Sequence, residues 1–135
     1  MELLDKTFLI DANIWIAYFD LDDSLNKKAE KIINSHLKSN NFLLLSDYII
    51  QEVITVFLYR NRIEQMEKFI NFIYGNNDIS ILGIEKDFAQ NILNLARKRK
   101  FKPKLSLTDW SLLFLSQTFY LKLLTFDKQL LNANK

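Results

Sequence analysis

The stretch Thr7-Phe8-Leu9-Ile10-Asp11 places the tightest constraint on the fold of this chain. A run so short, apolar and then closed by a polar residue reads as a β-strand buried on both faces. Such a strand belongs in a mostly parallel sheet, because only there do crossover helices cover both sides. Its last residue is an acid. In open parallel sheets, ligands sit just beyond the carboxyl ends of the strands. Asp11 therefore stands at the rim of a candidate site.

The rest of the chain repeats the alternation. After Asp11, the segment Asn13–Phe19 predicts a short helix or turn. Asp20, Asp22, Asp23 and Ser24 form a polar break, with Asp23 or Ser24 suited to cap the next helix. That helix carries Leu25, Ala29, Ile32, Ile33 and Leu37 on one face. Asn40-Asn41 interrupts it, and Phe42–Leu45 is a second buried strand. Ser46 or Asp47 caps an apolar helix over Tyr48–Arg60. A further helix spans Arg62–Tyr74, with Ile63, Met66, Phe69, Ile70 and Ile73 inward and Gly75 placed to end it. Ile79–Leu82 is a third strand, followed by a helix over Lys86–Lys100 that buries Phe88, Ile92, Leu95 and Ala96. Pro103 marks a linker, Leu107–Tyr120 a helix, and Lys122–Phe126 a fourth strand ended by Asp127. Lys128–Leu131 forms a last helical turn. The order predicts one domain over residues 1–135, a mostly parallel sheet of four to five strands with helices on both faces.

Composition narrows the chemistry. Cysteine is absent, which removes disulfides, thiol catalysis and Cys-based zinc sites. The single histidine, His36, sits near the apolar edge of its helix and reads as structural. The longest uncharged apolar stretch, Trp110–Leu121, is shorter than the roughly 20 residues of a membrane span. Acids at Glu2 and Asp5 stand where a signal peptide would be basic. The chain is thus expected to be soluble and cytoplasmic. Net charge is only +2, but Arg97, Lys98, Arg99, Lys100, Lys102 and Lys104 crowd one segment.

Asp11 and Asp127 each end a predicted strand, and Asp109 closes the capping-box pattern Ser106-Leu107-Thr108-Asp109. Each has a structural use as a cap or turn residue. Glu52 has none. It lies mid-helix among Ile49, Ile50, Val53, Ile54, Val56 and Phe57. Tyr48, Thr55 and Tyr59 share its narrow polar stripe. Strand ends and strand–helix junctions put all four acids near one rim. Converging carboxylates stay ionised only beside cations. An all-oxygen ligand set suits Mg²⁺ or Mn²⁺ rather than Zn²⁺, and such ions activate water for phosphodiester hydrolysis.

With these pieces in place, the chain resembles the PIN-domain family, most closely its small VapC-type toxins. The resemblance runs from Phe8 to about Leu131. It rests on Leu-Ile-Asp11-Ala-Asn13-Ile, on Ser46 through Glu52, on Leu-Ser-Leu-Thr-Asp109, and on Leu-Thr-Phe-Asp127. It implies a three-layer α/β/α sandwich and a Mg²⁺- or Mn²⁺-dependent endoribonuclease, the toxin of a pair restrained by an antitoxin protein. Asp11, Glu52, Asp109 and Asp127 are then the expected catalytic, metal-site carboxylates. Asn13 matches an amide that orients the first acid or a water, and Thr108 and Thr125 match small polar positions beside the acids. Two positions depart from the family: Ala12, where a hydroxyl is frequent, and Trp110, where a small residue is commoner. A ring at 110 either narrows the groove or packs outward.

Other readings stay open. The basic segment Arg97–Lys104 is either a helix end with a solvated loop or a contact for RNA phosphates. The apolar helices over Tyr48–Arg60 and Arg62–Tyr74 could form a homodimer or antitoxin interface. Ala12 and Trp110 leave room for a PIN-like RNA- or protein-binding module without catalysis, and a stand-alone nuclease without an antitoxin stays open too. A haloacid-dehalogenase-type phosphatase also starts from a strand-ending Asp, but needs a second Asp where this chain has Asn13.

Overall fold

Leu9 and Ile10 are neighbours on one strand, so their side chains point to opposite faces, and both are fully buried. That burial requires cover on both sides of the sheet, and the computed structural model, which describes residues 5–135, has it. The sequence reading of Met1–Leu4 lies outside the described residues. The strands are β1 (Thr7–Ile10), β2 (Phe42–Ser46), β3 (Ile79–Leu82) and β4 (Lys122–Leu124). They form one four-stranded sheet in the order β3-β2-β1-β4, with every pairing parallel. Among the described residues, seven helices connect and flank them: α1 (Ala12–Phe19), α2 (Asn26–Lys38), α3 (Asp47–Tyr59), α4 (Ile63–Gly75), α5 (Phe88–Lys98), α6 (Leu107–Phe119) and α7 (Lys128–Ala133). The result is the expected three-layer α/β/α sandwich.

The chain runs outward from β1 through β2 to β3, then returns to lay β4 on the other side of β1. The strand order thus reverses between β1 and β4, and a crevice opens at the carboxyl ends of such a pair. Ile10 pairs with Leu124, which brings the two ends level.

Helix α1 packs against α2, α3 and α4, while α5, α6 and α7 follow one another in contact. Trp15 of α1 meets Phe69 and Phe72 of α4 edge-on at 5.9 and 6.3 Å, and Phe19 joins the same cluster. Such pairs each add about 0.5–1.5 kcal/mol beyond their burial. On the other group, Phe88 bridges Tyr48 and Phe114 at 5.7 and 5.4 Å, tying α5 to α3 and α6. His36 stacks on Phe8 with ring centroids 4.0 Å apart, and Asn41 Nδ2 lies 2.9 Å from its Nδ1, so its role is structural.

Several expected boundaries move for identifiable reasons. Strand one stops at Ile10, because Asp11 turns to cap α1. Strand four stops at Leu124, whose carbonyl accepts from Asp11 N at 3.0 Å as the last rung. Asp127 is therefore not a strand end but lies beyond it, capping α7. Asp23 accepts from Leu25 N at 2.8 Å ahead of α2, so the cap position falls on Leu25, which is exposed rather than core. Ile63, expected inward, begins α4 exposed. Gly75 is the last residue of α4 without a left-handed backbone. The left-handed stops fall at Asn40 after α2, Asn61 after α3, Lys100 after α5 and Tyr120 after α6 instead. Among the described residues no helix is long and apolar enough to cross a membrane.

Candidate active site

Asp11 is buried, with φ −71° and ψ 157°, the extended conformation of a helix N-cap. Its Oδ1 accepts from Ala12 N at 2.6 Å, and its Oδ2 accepts from the Thr125 hydroxyl at 2.6 Å. Thr125 is itself held from two sides. Its Oγ1 accepts from Asn13 Nδ2 at 3.1 Å and from Asp127 N at 3.0 Å. Asn13 Oδ1 in turn accepts from Phe126 N at 3.2 Å. With both acceptor positions filled, the hydroxyl proton is directed at Asp11. The first turn of α1 and the segment after β4 are thus stitched together by side chains where the sheet ladder ends.

The other acids arrive from separate elements. Ser46 caps α3, accepting from Ile49 N at 3.4 Å, and the helix then carries Glu52 to the same crevice. Ser106 Oγ accepts from Asp109 N at 3.1 Å, and Asp109 receives hydrogen bonds from Ser106 in return, which is the expected capping box. Asp127 Oδ1 accepts from Gln129 N at 2.9 Å and Leu130 N at 3.3 Å, leaving its Oδ2 outside the cap.

Asp11, Glu52, Asp109 and Asp127 all line one cavity of about 280 Å³. Ala12, Ile16 and Val56 supply apolar wall, and Asn13 and Ser106 supply polar edges. The charges feel one another. Burial, opposed by the Thr125 and Ala12 hydrogen bonds and reinforced by Asp109 and Asp127, pushes the Asp11 carboxyl up to about 6. Enclosure of the Glu52 carboxyl, then the charges of Asp11 and Asp109, raises it above the ordinary range. Burial and then Asp127 raise Asp109, partly offset by Ser106. No lysine or arginine lines the cavity, and among the described residues none of the four acids is in an ion pair.

An oxygen-only donor set with unbalanced negative charge fits a hard divalent cation such as Mg²⁺ or Mn²⁺. The acids do not yet close around one point: among the described residues no three acidic or imidazole groups form a ready-made metal cluster. The fit is one of charge and donor chemistry.

The remaining predicted residues divide. Asn13 lines the cavity, and Thr125 stands beside it, bonded to Asp11 and Asn13. Thr108 lines an adjoining cleft with Glu52, not the acid cavity itself. None of Arg97, Lys98, Arg99, Lys100, Lys102 and Lys104 lines the acid cavity. Arg99 spends its guanidinium on the Ala133 carbonyl, 2.7 Å away, at the end of α7. Trp110 is buried, so its ring neither narrows the cavity nor packs outward. Ser106 was visible to sequence only as a cap, although it also lines the cavity. A larger cavity of about 330 Å³ between α5 and α6, walled by Phe88, Phe114 and Phe119, contains none of the four acids.

A parallel α/β domain with carboxylates gathered at its switch point defines a class, and comparison with known proteins gives it a family. The PIN domain matches residues 8–135, and the chain belongs to the PIN-domain family. No curated protein matches the sequence. Among solved structures, the chain is similar to Mycobacterium tuberculosis VapC20, a sarcin-ricin loop cleaving toxin, with TM-score 0.80 and 14% identity over 93% of this chain and 94% of that one. It is similar to PAE2754 from Pyrobaculum aerophilum, with TM-score 0.64 and 17% identity over 96% and 80%. It is also similar to a chain in a toxin–antitoxin complex from Klebsiella pneumoniae, with TM-score 0.61 and 22% identity over 90% and 88%. At these identities the likeness is one of fold.

Proposed function

We propose that this PIN domain is a divalent-metal-dependent endoribonuclease and the toxin of a toxin–antitoxin pair. The observation that carries the reading is the convergence of Asp11, Glu52, Asp109 and Asp127 on one cavity that holds no countercharge. These four would hold Mg²⁺ or Mn²⁺, which supplies an activated water and neutralises charge on the phosphodiester. The chain's own residues do the positioning. Thr125 fixes Asp11 Oδ2, Asn13 fixes Thr125, and Ser106 fixes Asp109. Ala12, Ile16 and Val56 keep one wall of the cavity apolar, which strengthens each electrostatic contact inside it.

The similarity to VapC20, described as cleaving the sarcin-ricin loop, supports RNA as the substrate class. The Klebsiella complex supports an antitoxin partner. Leu58, Tyr59 and Ile63 lie exposed where α3 turns into α4, and this apolar surface supports contact with an antitoxin or a second copy of the chain. Light scattering of the purified protein at high concentration decides the second case, and a monodisperse monomer argues against a homodimer.

The test of activity is incubation with structured RNAs in Mg²⁺ or Mn²⁺, in chelator, and with Asp11→Asn. Cleavage is expected only for the wild type with metal. Undiminished cleavage in chelator and in the variant overturns the reading. A non-catalytic binding module is the second reading, favoured by acids that do not close into a ready-made metal cluster among the described residues. Calorimetry separates the two: micromolar Mn²⁺ binding that Glu52→Gln abolishes counts for the enzyme.

A further inference from the structure

Beside the acid cavity lies a second, shallower cleft of about 430 Å³, and the two share Glu52 and Val56 as a common wall. It runs between α3 and the start of α6. Its other lining residues are Tyr48, Gln51, Thr55, Leu107 and Thr108. Its size falls within the roughly 300–1,000 Å³ of small-molecule and cofactor sites. The cleft therefore opens directly beside the carboxylates proposed to cut RNA.

Its chemistry selects the occupant. No lysine or arginine lines it, and its one charge is the Glu52 carboxylate at the shared wall. A phosphate is repelled there. An uncharged flat ring with polar edges is not. Tyr48 supplies an aromatic ring, held by its edge contact with Phe88 at 5.7 Å. Leu107, 56% exposed, supplies apolar surface. Gln51, Thr55 and Thr108 supply an amide and two hydroxyls, and among the described residues none of these side-chain groups is engaged in a hydrogen bond. Aromatic surface with free neutral donors and acceptors is how proteins take up unpaired bases of RNA.

We infer that this cleft is a base-reading subsite: it receives the unpaired nucleobase next to the scissile phosphate, with Gln51, Thr55 and Thr108 reading its edge. The inference rests on the nuclease reading above and adds to it a determinant of where the RNA is cut. Glu52 then has two neighbours, the acid cavity on one side and the base on the other. That arrangement couples recognition of the base to the position of the phosphate.

The test uses the full chain. A single-stranded RNA pool with random sequence is cut in Mn²⁺ by the wild type, Gln51→Ala and Thr55→Val, and the cut sites are sequenced. Gln51 and Thr55 are exposed, so neither variant should impair folding, and Mn²⁺ calorimetry checks that the acids are intact. The preference at one nucleotide flanking the cut is expected to weaken by roughly tenfold in at least one variant, the size of a lost base-edge contact. In parallel, a short random oligoribonucleotide is titrated into isotope-labelled Asp11→Asn. The Gln51 side-chain amide and the Thr55 methyl are expected to shift. Cleavage with unchanged preference in both variants overturns the subsite. So does an oligoribonucleotide that leaves the Gln51 and Thr55 signals unmoved, including the case in which only a protein partner shifts them. Shifts at Gln51 and Thr55 without any cleavage by the wild type support the subsite and sink the nuclease reading instead.

Discussion

The Thr125 hydroxyl donates to Asp11 Oδ2 at 2.6 Å across 114 residues of sequence, and this bond joins the two strand ends on which the site is built. It also lowers the Asp11 pKa against the burial that raises it. Thr125→Val keeps the side-chain shape and removes the hydroxyl. Asp11 Oδ2 then loses its donor, and Asn13 Nδ2 and Asp127 N lose their acceptor. Outer partners of metal ligands are typically worth 10- to 100-fold in affinity or activity. Mn²⁺ affinity by calorimetry and the rate of RNA cleavage are expected to fall within that range, with Thr125→Ser recovering most of both. Wild-type values in Thr125→Val would remove Thr125 from the site.

Ser106 poses a different case, because it both caps α6 and holds Asp109. Ser106→Ala is expected to cost about 1 kcal/mol of stability in urea unfolding, the usual size of a lost N-cap. A cap with no other role ends there. A cap that also positions an acid loses activity at temperatures where the protein remains fully folded, and Ser106→Thr restores it. Activity that tracks only the folded fraction would reduce Ser106 to a cap.

The sequence carried the fold well because its signals are local. Short apolar runs and amphipathic stretches place β1 to β4 and most helices within a residue or two. That Asp11, Glu52, Asp109 and Asp127 could meet was legible, Glu52 because a mid-helix carboxylate among aliphatic residues needs a reason, and the four do line one cavity. What stayed hidden is pairwise and distant. Nothing near Thr125 in sequence announces a bond to Asp11, and nothing near Arg99 announces the Ala133 carbonyl. A capping role also leaves a place at the cavity open. Asp11 and Asp127 cap α1 and α7 with one carboxylate oxygen each, and the same two groups line the acid cavity.

If these carboxylates hold the proposed metal, proton and metal compete for them. Asp11 rises from its ordinary 3.8 to about 6 in the folded chain. The folded protein thus holds this proton more tightly than the unfolded chain does. The stabilisation it gives is complete below pH 3.8 and is lost as pH rises through about 6. The rise corresponds to about 3 kcal/mol. Glu52 and Asp109 are raised as well, which adds in the same direction. As pH rises through about 6 the Asp11 carboxylate adds its charge to the site, which a bound divalent cation would relieve. The increase in Tm on adding Mn²⁺ is therefore expected to be larger at pH 8 than at pH 5. An increment independent of pH would mean that the ion binds elsewhere.

Among the described residues, the basic segment divides into one cation with a structural bond, Arg99, and several without one. Arg99 donates to the last turn of α7, whose first turn is capped by Asp127. Arg99→Ala is expected to cost about 1 kcal/mol, discounted from a buried charged hydrogen bond because the side chain is partly open to solvent. It should leave the salt dependence of RNA binding unchanged. Lys100, Lys102 and Lys104 are exposed, and they lie on the loop that leads into Ser106. If they contact backbone phosphates, each substitution by Ala lowers the slope of log affinity against log salt by about 0.7 on single-stranded RNA, with little change in Tm. Filter binding of Asp11→Asn to a short oligoribonucleotide at several salt concentrations measures that slope. A slope that falls with Arg99→Ala and not with the lysines would reverse the division.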